Sequence, residues 1–343
     1  MVEKMKAVGL YKYLPITEGE SFLDVTLEKP VPEGHDLLVR VKAISVNPVD
    51  YKVRAPKDTV EVKPRILGWD ACGIVEAVGE ECTLFSPGDE VFYAGDITRP
   101  GCDSEYHLVD ERIVGRKPNT LDYAESAALP LTSITAYEAL FERLMISCKK
   151  EDNRGKMILI INASGGVGSI ATQMAKAAGL TVIGTASRKE TIEWAKAHGA
   201  DYVVNHRESI KEQIEKLGYP FVDYILCLNN TDYHWKNIIE TIAPLGRICS
   251  IVETEHPLDV APLKPKSASF SWEFMFTKAM FKKDMITQHD LLDRVADYVD
   301  KGILETTLHE KKSPINAENL RQAHQELESG KTIGKIVIEG WES

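Results

Sequence analysis

Long apolar runs and an excess of positive charge are both missing from this 343-residue sequence. No uninterrupted stretch approaches the ~18 apolar residues of a membrane-spanning helix, and the opening MVEKMKAVGLYKYLP lacks the apolar core of a signal peptide. Forty-one basic residues against 52 acidic ones give a net charge of −11. The sequence therefore predicts a cytoplasmic protein that binds neither a membrane nor a nucleic acid.

Clustered cysteines are also missing. The six cysteines lie far apart, at positions 72, 82, 102, 148, 227 and 249, without a Cys-x-x-Cys pair or a Cys/His group at metal-ligand spacing. We expect reduced thiols that mostly fill the core, and no metal site built from them.

The length exceeds the roughly 250–300 residues of a single hydrophobic core, which predicts two domains. From Met157 onward, short apolar runs such as MILII and TVIGTA alternate with helical segments such as SIATQMAKAA and KETIEWAKAH. This alternation is typical of a doubly wound parallel sheet, so the fold class is α/β.

The N-terminal part is different, with irregular strands broken by Pro and Gly turns. The C-terminal helix in NAENLRQAHQELESG and the strand in GKIVIEG have no place in an already complete parallel sheet, so they are expected to return to the first domain. We predict one domain from 1–126 and 266–343, and a second from 127–265.

A glycine-rich turn follows the first parallel strand. The run ASGGVG places Ser164, Gly165, Gly166, Val167 and Gly168 between that strand and a helix. Backbone N–H groups and the helix dipole in such a turn bind a pyrophosphate, so the turn predicts a dinucleotide site. Ala163 stands where the GxGxxG pattern has its first glycine, and a small residue can still make the turn.

No carboxylate ends the second parallel strand, where NAD-type proteins carry an acid for the ribose 2′-hydroxyl. Ser187, Arg188 and Lys189 stand there instead. A hydroxyl, a guanidinium and an ammonium suit the 2′-phosphate of NADP(H), which becomes the predicted cofactor. The alternative is that Arg188 and Lys189 only begin a solvated helix.

Five ordered motifs, running over nearly the whole chain, resemble the medium-chain dehydrogenase/reductase superfamily, and most closely its zinc-free quinone oxidoreductase branch and the proteins labelled zinc-type alcohol dehydrogenase-like. They are the glycine turn with its flanks, ISVNPVDYKVR (44–54), LGWDACGIVEAVG (67–79), FSPGDEV (85–91) and LPLTSITAYEAL (129–140). The resemblance implies a GroES-like β-rich catalytic domain, a Rossmann coenzyme domain and a cleft for the nicotinamide.

The same resemblance implies further site residues and a partner. His206 matches the residue that reaches the 2′-phosphate from the far side, although a solvated loop histidine is the alternative. A homodimer is expected. The aromatic run SFSWEFMFTKAMF (269–281) is a candidate for the dimer edge, for the substrate pocket or for buried core.

The zinc ligands of the superfamily are absent from this sequence. Asn47 stands at the first cysteine, Trp69 and Asp70 replace the His-Glu pair, and the later ligand position falls near Leu131. The four-cysteine structural zinc lobe is missing as well. We therefore predict no metal site.

Without a metal, reduction of a conjugated substrate is the easier chemistry, because the charge spreads over an enolate or hydroquinone. We predict an NADPH-dependent oxidoreductase for a small-molecule quinone or α,β-unsaturated carbonyl. Asn47, Tyr51, Lys52 and Thr135 are the polar residues expected at the nicotinamide. Tyr51 would donate a hydrogen bond or a proton, or else pack under the cleft. The alternative function is an NADPH-binding redox sensor or structural protein with little turnover.

Overall fold

The computed structural model describes residues 3–342. Its strands are β1 (Lys4–Tyr13), β2 (Leu23–Glu28), β3 (Asp36–Ser45), β4 (Lys57–Ile66), β5 (Ala71–Val78), β6 (Glu90–Tyr93), β7 (Tyr106–Asp110), β8 (Val114–Arg116), β9 (Met157–Ile161), β10 (Thr181–Thr185), β11 (Tyr202–Val204), β12 (Val222–Cys227), β13 (Ile242–Ser250), β14 (Ser269–Trp272), β15 (Leu308–Lys312) and β16 (Lys335–Glu339).

The α-helices are α1 (Pro48–Arg54), α2 (Tyr123–Ala127), α3 (Pro130–Tyr137), α4 (Gly166–Ala177), α5 (Lys189–Ala197), α6 (Ile210–Lys216), α7 (Thr231–Thr241), α8 (Thr277–Met280), α9 (Ile286–Asp300) and α10 (Ala317–Glu328). A π-helical segment, Glu138–Arg143, directly follows α3. Short 3₁₀ turns lie at Gly19–Ser21, Glu111–Ile113, Lys150–Asn153 and Ala261–Lys266. No described helix is long and apolar enough to cross a bilayer.

The chain forms two compact units. Unit 1 contains residues 1–131 and 276–343, and unit 2 contains 132–275. Both divisions fall later in the chain than the predicted 126/127 and 265/266. The first division falls later because α2 packs on β3, β5 and β16 of unit 1. The second falls later because β14 is the last strand of the unit 2 sheet.

Unit 1 is built from two sheets. One has the strand order β2-β1-β4, and the other has the order β15-β16-β3-β5-β6-β8 with β7 also paired to β3. β16 lies antiparallel to β3, with Ile338 opposite Ile44. The predicted return of the C-terminal segment to the first domain is therefore confirmed, as is the β-rich character of that domain.

Unit 2 is one parallel sheet of six strands in the order β11-β10-β9-β12-β13-β14. Every residue of the central strand β9 is buried, as expected for a strand covered by helices on both faces. Gly179, Gly199 and Gly218 end three helices with φ of 88°, 103° and 91°. Glycine adopts this left-handed region without strain, which suits it to the end of a helix. The six-stranded parallel sheet with its helices confirms the predicted α/β fold class.

The cysteines behave as predicted. All six are free thiols, and four of them, Cys72, Cys102, Cys227 and Cys249, are buried. Cys148 is exposed and Cys82 is half-buried.

Candidate active site

The turn after β9 is shaped by one left-handed residue. Asn162 has φ of 68°, and its N–H donates to Oγ1 of Thr185 on the neighbouring strand at 3.0 Å. The chain then passes through Ala163 and Ser164 to Gly165, which precedes the first turn of α4. The glycine run thus lies between a parallel strand and a helix N-terminus, as the sequence predicted.

Close packing explains the glycines in this turn. A Cβ on Gly168 would lie 2.2 Å from the Asn162 carbonyl oxygen and 2.7 Å from Cα of Ala163. These are backbone atoms, which cannot move aside as a flexible side chain can. The alanine in the first glycine position is also explained, since a Cβ on Gly184 of β10 would lie 2.7 Å from the Ala163 methyl group. Glycine at position 184 therefore leaves room for alanine at position 163.

A hydrogen-bonded chain holds the turn from behind. Ser169 Oγ donates to the Gly165 carbonyl at 2.8 Å and accepts from Nε1 of Trp194 at 2.7 Å. Trp194 belongs to α5, so α5 and the glycine turn are fixed to each other. The sequence reasoning missed this tryptophan, which appears as an ordinary residue of an amphipathic helix.

The ends of β10 and β11 carry the predicted phosphate-binding residues. The sequence analysis placed Ser187 at the end of β10. The strand ends at Thr185, however, and Ser187 lies in the short link before α5. Thr185 pairs with Val204 of β11, and Ser187 and His206 each follow two residues later. Ser187 and His206 therefore lie just beyond the ends of two adjacent strands, at the same edge of the sheet.

Arg188 and Lys189 open α5. The Arg188 N–H donates to Thr191 Oγ1 at 3.1 Å, which fixes the start of the helix. The Arg188 side chain is half-buried, whereas Lys189 is 86% exposed and lies 3.9 Å from Glu193. A helix N-terminus with an adjacent guanidinium attracts anions.

His206 is half-buried beside a second histidine. Its ring centroid lies 6.3 Å from that of the buried His234. Burial and the neighbouring Arg207 lower the pKa of His206, so the imidazole is neutral at pH 7. A neutral ring can still donate one hydrogen bond to a phosphate oxygen.

Two of the predicted catalytic residues, Tyr51 and Lys52, lie on α1, and the third, Asn47, directly precedes it. Thr135, which was predicted to lie beneath the nicotinamide ring, is buried in α3 within unit 2. Tyr51 is half-buried and Lys52 is exposed. Asn47 is buried at the N-terminal end of the helix, and its backbone N–H donates to Asp50 Oδ2 at 2.6 Å. Asp50 therefore holds the start of α1.

Asn47 belongs to a buried network of charged groups in unit 1. Its Nδ2 donates to Asp70 Oδ2 at 2.8 Å and its Oδ1 accepts from Nζ of Lys335 on β16. Nζ of Lys335 also lies 2.9 Å from Asp70 Oδ2, and the Leu131 N–H donates to Asp70 Oδ1 at 2.7 Å. Asn47, Asp70 and Leu131, three positions that the resemblance singled out, thus converge. The sequence reasoning missed Lys335, although a lysine opening the apolar strand KIVIE was a signal.

Two further carboxyl groups are buried near this network. Burial raises the pKa of Asp50 from 3.8 to about 7, despite the Asn47 N–H and Lys335. Burial also raises the pKa of Asp103 well above its usual range, with Asp50 adding to the effect. Burial raises the pKa of Asp70, although Lys335, Asn47 and the Leu131 N–H act to lower it.

Unit 2 has a buried acid pair that the sequence did not predict. Glu273, just after β14, is hydrogen-bonded to Glu138 of the π-helical segment, and its Oε2 accepts from Arg143 Nε at 2.8 Å. Burial and Glu138 raise the pKa of Glu273 to about 9, so it is protonated at neutral pH. The pair joins the edge strand to the π-helical segment.

Comparisons with known proteins decide the family. Residues 33–119 match the model of the alcohol dehydrogenase GroES-like domain, and residues 166–289 match that of zinc-binding dehydrogenases. A zinc-type alcohol dehydrogenase-like protein of Staphylococcus aureus is 48% identical over 335 residues, covering 97% of this chain and 99% of its own. The chain belongs to the medium-chain dehydrogenase/reductase superfamily.

Two other relatives give the range within that superfamily. A quinone oxidoreductase of Lama guanicoe is 33% identical over 320 residues, with 90% of each chain covered. The crystal structure of a candidate zinc-dependent alcohol dehydrogenase from Rhizobium etli is 51% identical, covers 100% of both chains and superposes with a TM-score of 0.95. As a member of this superfamily, with a GroES-like and a Rossmann-like domain, the chain is an oxidoreductase.

The residues of this chain do not fit the zinc ion that several of these names contain. Asn47, Trp69 and Leu131 offer no thiolate or imidazole at the three positions, and both oxygens of Asp70 already accept hydrogen bonds. Trp69 is buried with its ring 6.0 Å from that of Phe276. Within residues 3–342, no group of three or more His, Cys, Asp or Glu side chains is arranged to hold a metal.

Proposed function

We propose that this oxidoreductase uses NADPH to reduce quinones or α,β-unsaturated carbonyl compounds without a metal ion. One observation carries the coenzyme half of the proposal. Ser187 and His206 each lie two residues beyond the paired ends of neighbouring strands, Arg188 and Lys189 open the helix that follows Ser187, and there is no carboxylate among these four residues. A 2′-phosphate is a dianion that a guanidinium and a helix N-terminus bind well, whereas an acid at this place would repel it.

The glycine turn fits the rest of a dinucleotide. Ser164, Gly165, Gly166, Val167 and Gly168 would hold the pyrophosphate through backbone N–H groups, because no side chain extends from the glycines to block it. The bound coenzyme supplies a hydride. The protein supplies position and a hydrogen-bonding environment for the oxygen on which negative charge develops.

The substrate half of the proposal rests on what unit 1 offers. The side-chain amide of Asn47 is engaged by Asp70 and Lys335, so a direct contact with a substrate would require those bonds to break. Tyr51 and Lys52 on the same helix remain the candidate donors to the reduced oxygen. Hydrogen bonds of this kind stabilise an enolate or a hydroquinone readily, since the charge is delocalised, whereas a localised alkoxide requires a stronger proton donor or a Lewis acid.

The coenzyme preference is tested by titrating wild type and Arg188→Ala with NADPH and with NADH. We expect Arg188→Ala to weaken NADPH about 10- to 100-fold and to leave NADH nearly unchanged, as loss of a charged hydrogen bond predicts. Lys196→Ala, an exposed position at the other end of α5, is the control and should change neither. Tighter binding of NADH than NADPH by the wild type would refute the proposal.

Turnover is tested by following NADPH oxidation with 9,10-phenanthrenequinone and with a panel of enones. We expect reduction of at least one class, and no oxidation of simple alcohols with NAD. NADPH binding without turnover on the whole panel would support the alternative function, a coenzyme-binding sensor or structural protein.

We also propose that a second copy of the chain binds at β14. This strand pairs with β13 and ends the unit 2 sheet, and Trp272 at its end is 46% exposed. A strand edge is self-complementary, because two copies can pair antiparallel about a twofold axis. Light scattering should give a dimer for wild type and a monomer for Trp272→Glu, and a wild-type monomer would refute this proposal.

A further inference from the structure

Two carboxyl groups lie against each other inside unit 2. Glu138, the first residue of the π-helical segment, is 1% exposed, and the side chain of Glu273, directly after β14, is fully buried. The two side chains are hydrogen-bonded to each other. An ionised carboxylate can only accept hydrogen bonds, so a bond between two carboxyl groups requires a proton on one of them. This contact therefore needs one proton within the pair.

One guanidinium balances the charge of the pair. Nε of Arg143, in the same π-helical segment, donates to Glu273 Oε2 at 2.8 Å. With one proton in place, the three side chains carry one negative and one positive charge, so together they are neutral. Loss of the proton would bury a second negative charge without a second cation, which is costly. Burial and Glu138 accordingly raise the pKa of Glu273 to about 9, although Arg143 acts to lower it.

Two other ionisable groups lie near the pair. Burial and the neighbouring Glu273 raise the pKa of the Cys249 thiol on β13 to about 12, so this thiol stays neutral up to about pH 10. Glu142 lies 3.8 Å from Arg143, and both side chains are about one-third exposed, so water screens their interaction. The proton of the pair is therefore the one whose loss changes the charge inside this cluster.

The pair attaches the end of α3 to the sheet of unit 2. Glu138 directly follows α3, and Thr135, which was predicted to lie beneath the nicotinamide ring, belongs to the last turn of that helix. On the sheet side, the Glu273 N–H donates to the carbonyl of Ser250, the last residue of β13, at 2.9 Å. π-helical turns are rare and often occur at functional sites. A change at Glu138 therefore acts directly on the helix that carries Thr135.

We propose that Glu138 and Glu273 are positioning residues that share one proton, and that this proton fixes the end of α3 and thereby the place of Thr135 beneath the nicotinamide. The placement of Thr135 rests on the proposed reductase function, whereas the shared proton does not. The carboxyl groups themselves take part in no chemical step. Hydride transfer is expected to slow when the pair loses its proton in alkaline solution.

The shared proton is tested first, without any activity measurement. Glu138→Gln and Glu273→Gln each leave a single carboxylate beside Arg143, so neither variant has a proton to share. In the wild type the folded chain keeps the proton up to about pH 9, whereas an unfolded glutamate has lost it above about pH 5, so stability falls as the pH rises between these values. We expect the Tm of both variants, relative to wild type, to rise by about 5 °C or more from pH 6 to pH 9. A Tm difference that does not depend on pH would overturn the shared proton.

A matched control in unit 2 is Glu240→Gln. Glu240 is paired with Lys236 one helical turn away, but its side chain is 44% exposed. We expect its Tm to differ from wild type by less than about 2 °C, and equally at pH 6 and pH 9. A pH-dependent change as large as that of the buried variants would assign the effect to surface charge and overturn the proposal.

The positioning role is tested by kinetics. In Glu273→Ala, which lacks both bonds of the carboxyl group, we expect kcat for quinone reduction at pH 7 to fall about tenfold or more, with the Kd for NADPH within about threefold of wild type. At least one of the two Gln variants should lose much less, because an amide N–H can donate the bond that the shared proton makes. Equal kcat in wild type and Glu273→Ala would overturn the positioning role, as would a loss in both Gln variants as large as in the Ala variant.

The pH profile decides if Glu273→Ala fails to fold. The wild-type kcat should fall as the pH rises through about 9, and this fall should be absent from the Gln variant that retains activity. Comparison with that variant separates the pair from other groups that titrate in alkaline solution. The same alkaline fall in wild type and in both Gln variants would overturn the proposal.

Failure of the proposed function would be distinguishable. If the wild type turns over no substrate, the Tm profiles still judge the shared proton, and the fluorescence emission of bound NADPH, which depends on the surroundings of the nicotinamide, judges the positioning. We expect this emission to change in Glu273→Ala and to stay unchanged in Glu240→Gln. Identical emission in wild type and Glu273→Ala would then overturn the positioning role.

Discussion

The buried network of unit 1 and the strand edge of unit 2 differ in where their charged groups lie and in what those groups contact. In unit 1, Lys335, Asn47 and Asp70 are bonded to one another away from water. In unit 2, Arg188 is half-buried and Lys189 is almost fully exposed. A network whose charges are paired internally acts by holding the backbone, whereas basic groups near the surface at a helix N-terminus suit an incoming anion.

Among the variants that test this comparison, the largest effect is expected for a substitution of Gly168 in unit 2. In Gly168→Val the new side chain meets the backbone of Asn162 and Ala163, so the glycine turn must deform. We expect NADPH affinity to fall at least 100-fold, measured by fluorescence titration. Gly19→Ala, where an added Cβ meets no atom within 4 Å, is the control. Unchanged affinity in Gly168→Val would contradict the role of the turn.

The next effect concerns Arg54, a buried cation at the end of α1. It is bonded to Glu328, to the Leu14 carbonyl at 2.6 Å and to His324 Nδ1 at 3.4 Å. Arg54→Met leaves these groups unpaired, so we expect a loss of about 2–4 kcal/mol in urea unfolding.

Lys311→Met is the matched control for Arg54, because its ion pair with Glu339 is about half exposed. The control should cost far less stability than Arg54→Met, because exposed ion pairs contribute little. Similar losses in the two variants would show that burial of the charge does not distinguish them.

An effect that depends on pH, and is small below about pH 5, is expected at Asp50. Its pKa is about 7 in the folded chain against 3.8 ordinarily, so the folded state holds the proton between these values and stability falls as pH rises from about 4 to 7. Asp50→Asn removes this titration. Its free energy of unfolding should rise relative to that of wild type as the pH increases through this range, by up to ~4 kcal/mol at pH 8.

Urea unfolding at pH 5 and pH 8 measures the Asp50 effect. Asp58→Asn, at an exposed position of β4, should change stability equally at both pH values. A constant difference between wild type and Asp50→Asn would mean that Asp50 stays ionised in the fold.

The smallest effect is expected at Lys189. Because the side chain is 86% exposed, Lys189→Ala should change stability by less than ~0.5 kcal/mol. The KM for NADPH should rise a few-fold at low salt and by less at 0.5 M salt, since exposed charges are screened. A salt-independent change would indicate direct contact instead.

The sequence predicted the parts of the fold that repeat a local pattern. The β/α alternation gave the strands of unit 2 to within a few residues, and the C-terminal segment was expected in the first domain because the sheet was already complete. The division at 275/276 was missed because β14, which closes the sheet, is only four residues long and lies in an aromatic run of mixed exposure.

The candidate site was predictable where its chemistry lies in consecutive residues, as in the glycine turn and in Ser187, Arg188 and Lys189. The network around Lys335 was not predictable, because Asp70 and Lys335 are 265 residues apart in the chain. The pairing of β16 with β3 brings them together. The Glu138–Glu273 pair was missed for the same reason. Contacts of this kind leave no periodicity in the sequence.

The pairing of β16 with β3 also sets an order of events during synthesis. Unit 2 is one continuous segment, 132–275, so all of it leaves the ribosome together. In contrast, β3 can pair with β16 only after more than 200 further residues have been synthesised. The nascent N-terminal segment thus exposes the edge of β3 at residues 43–45 until β16 has been made, and chaperone binding during that interval would protect it.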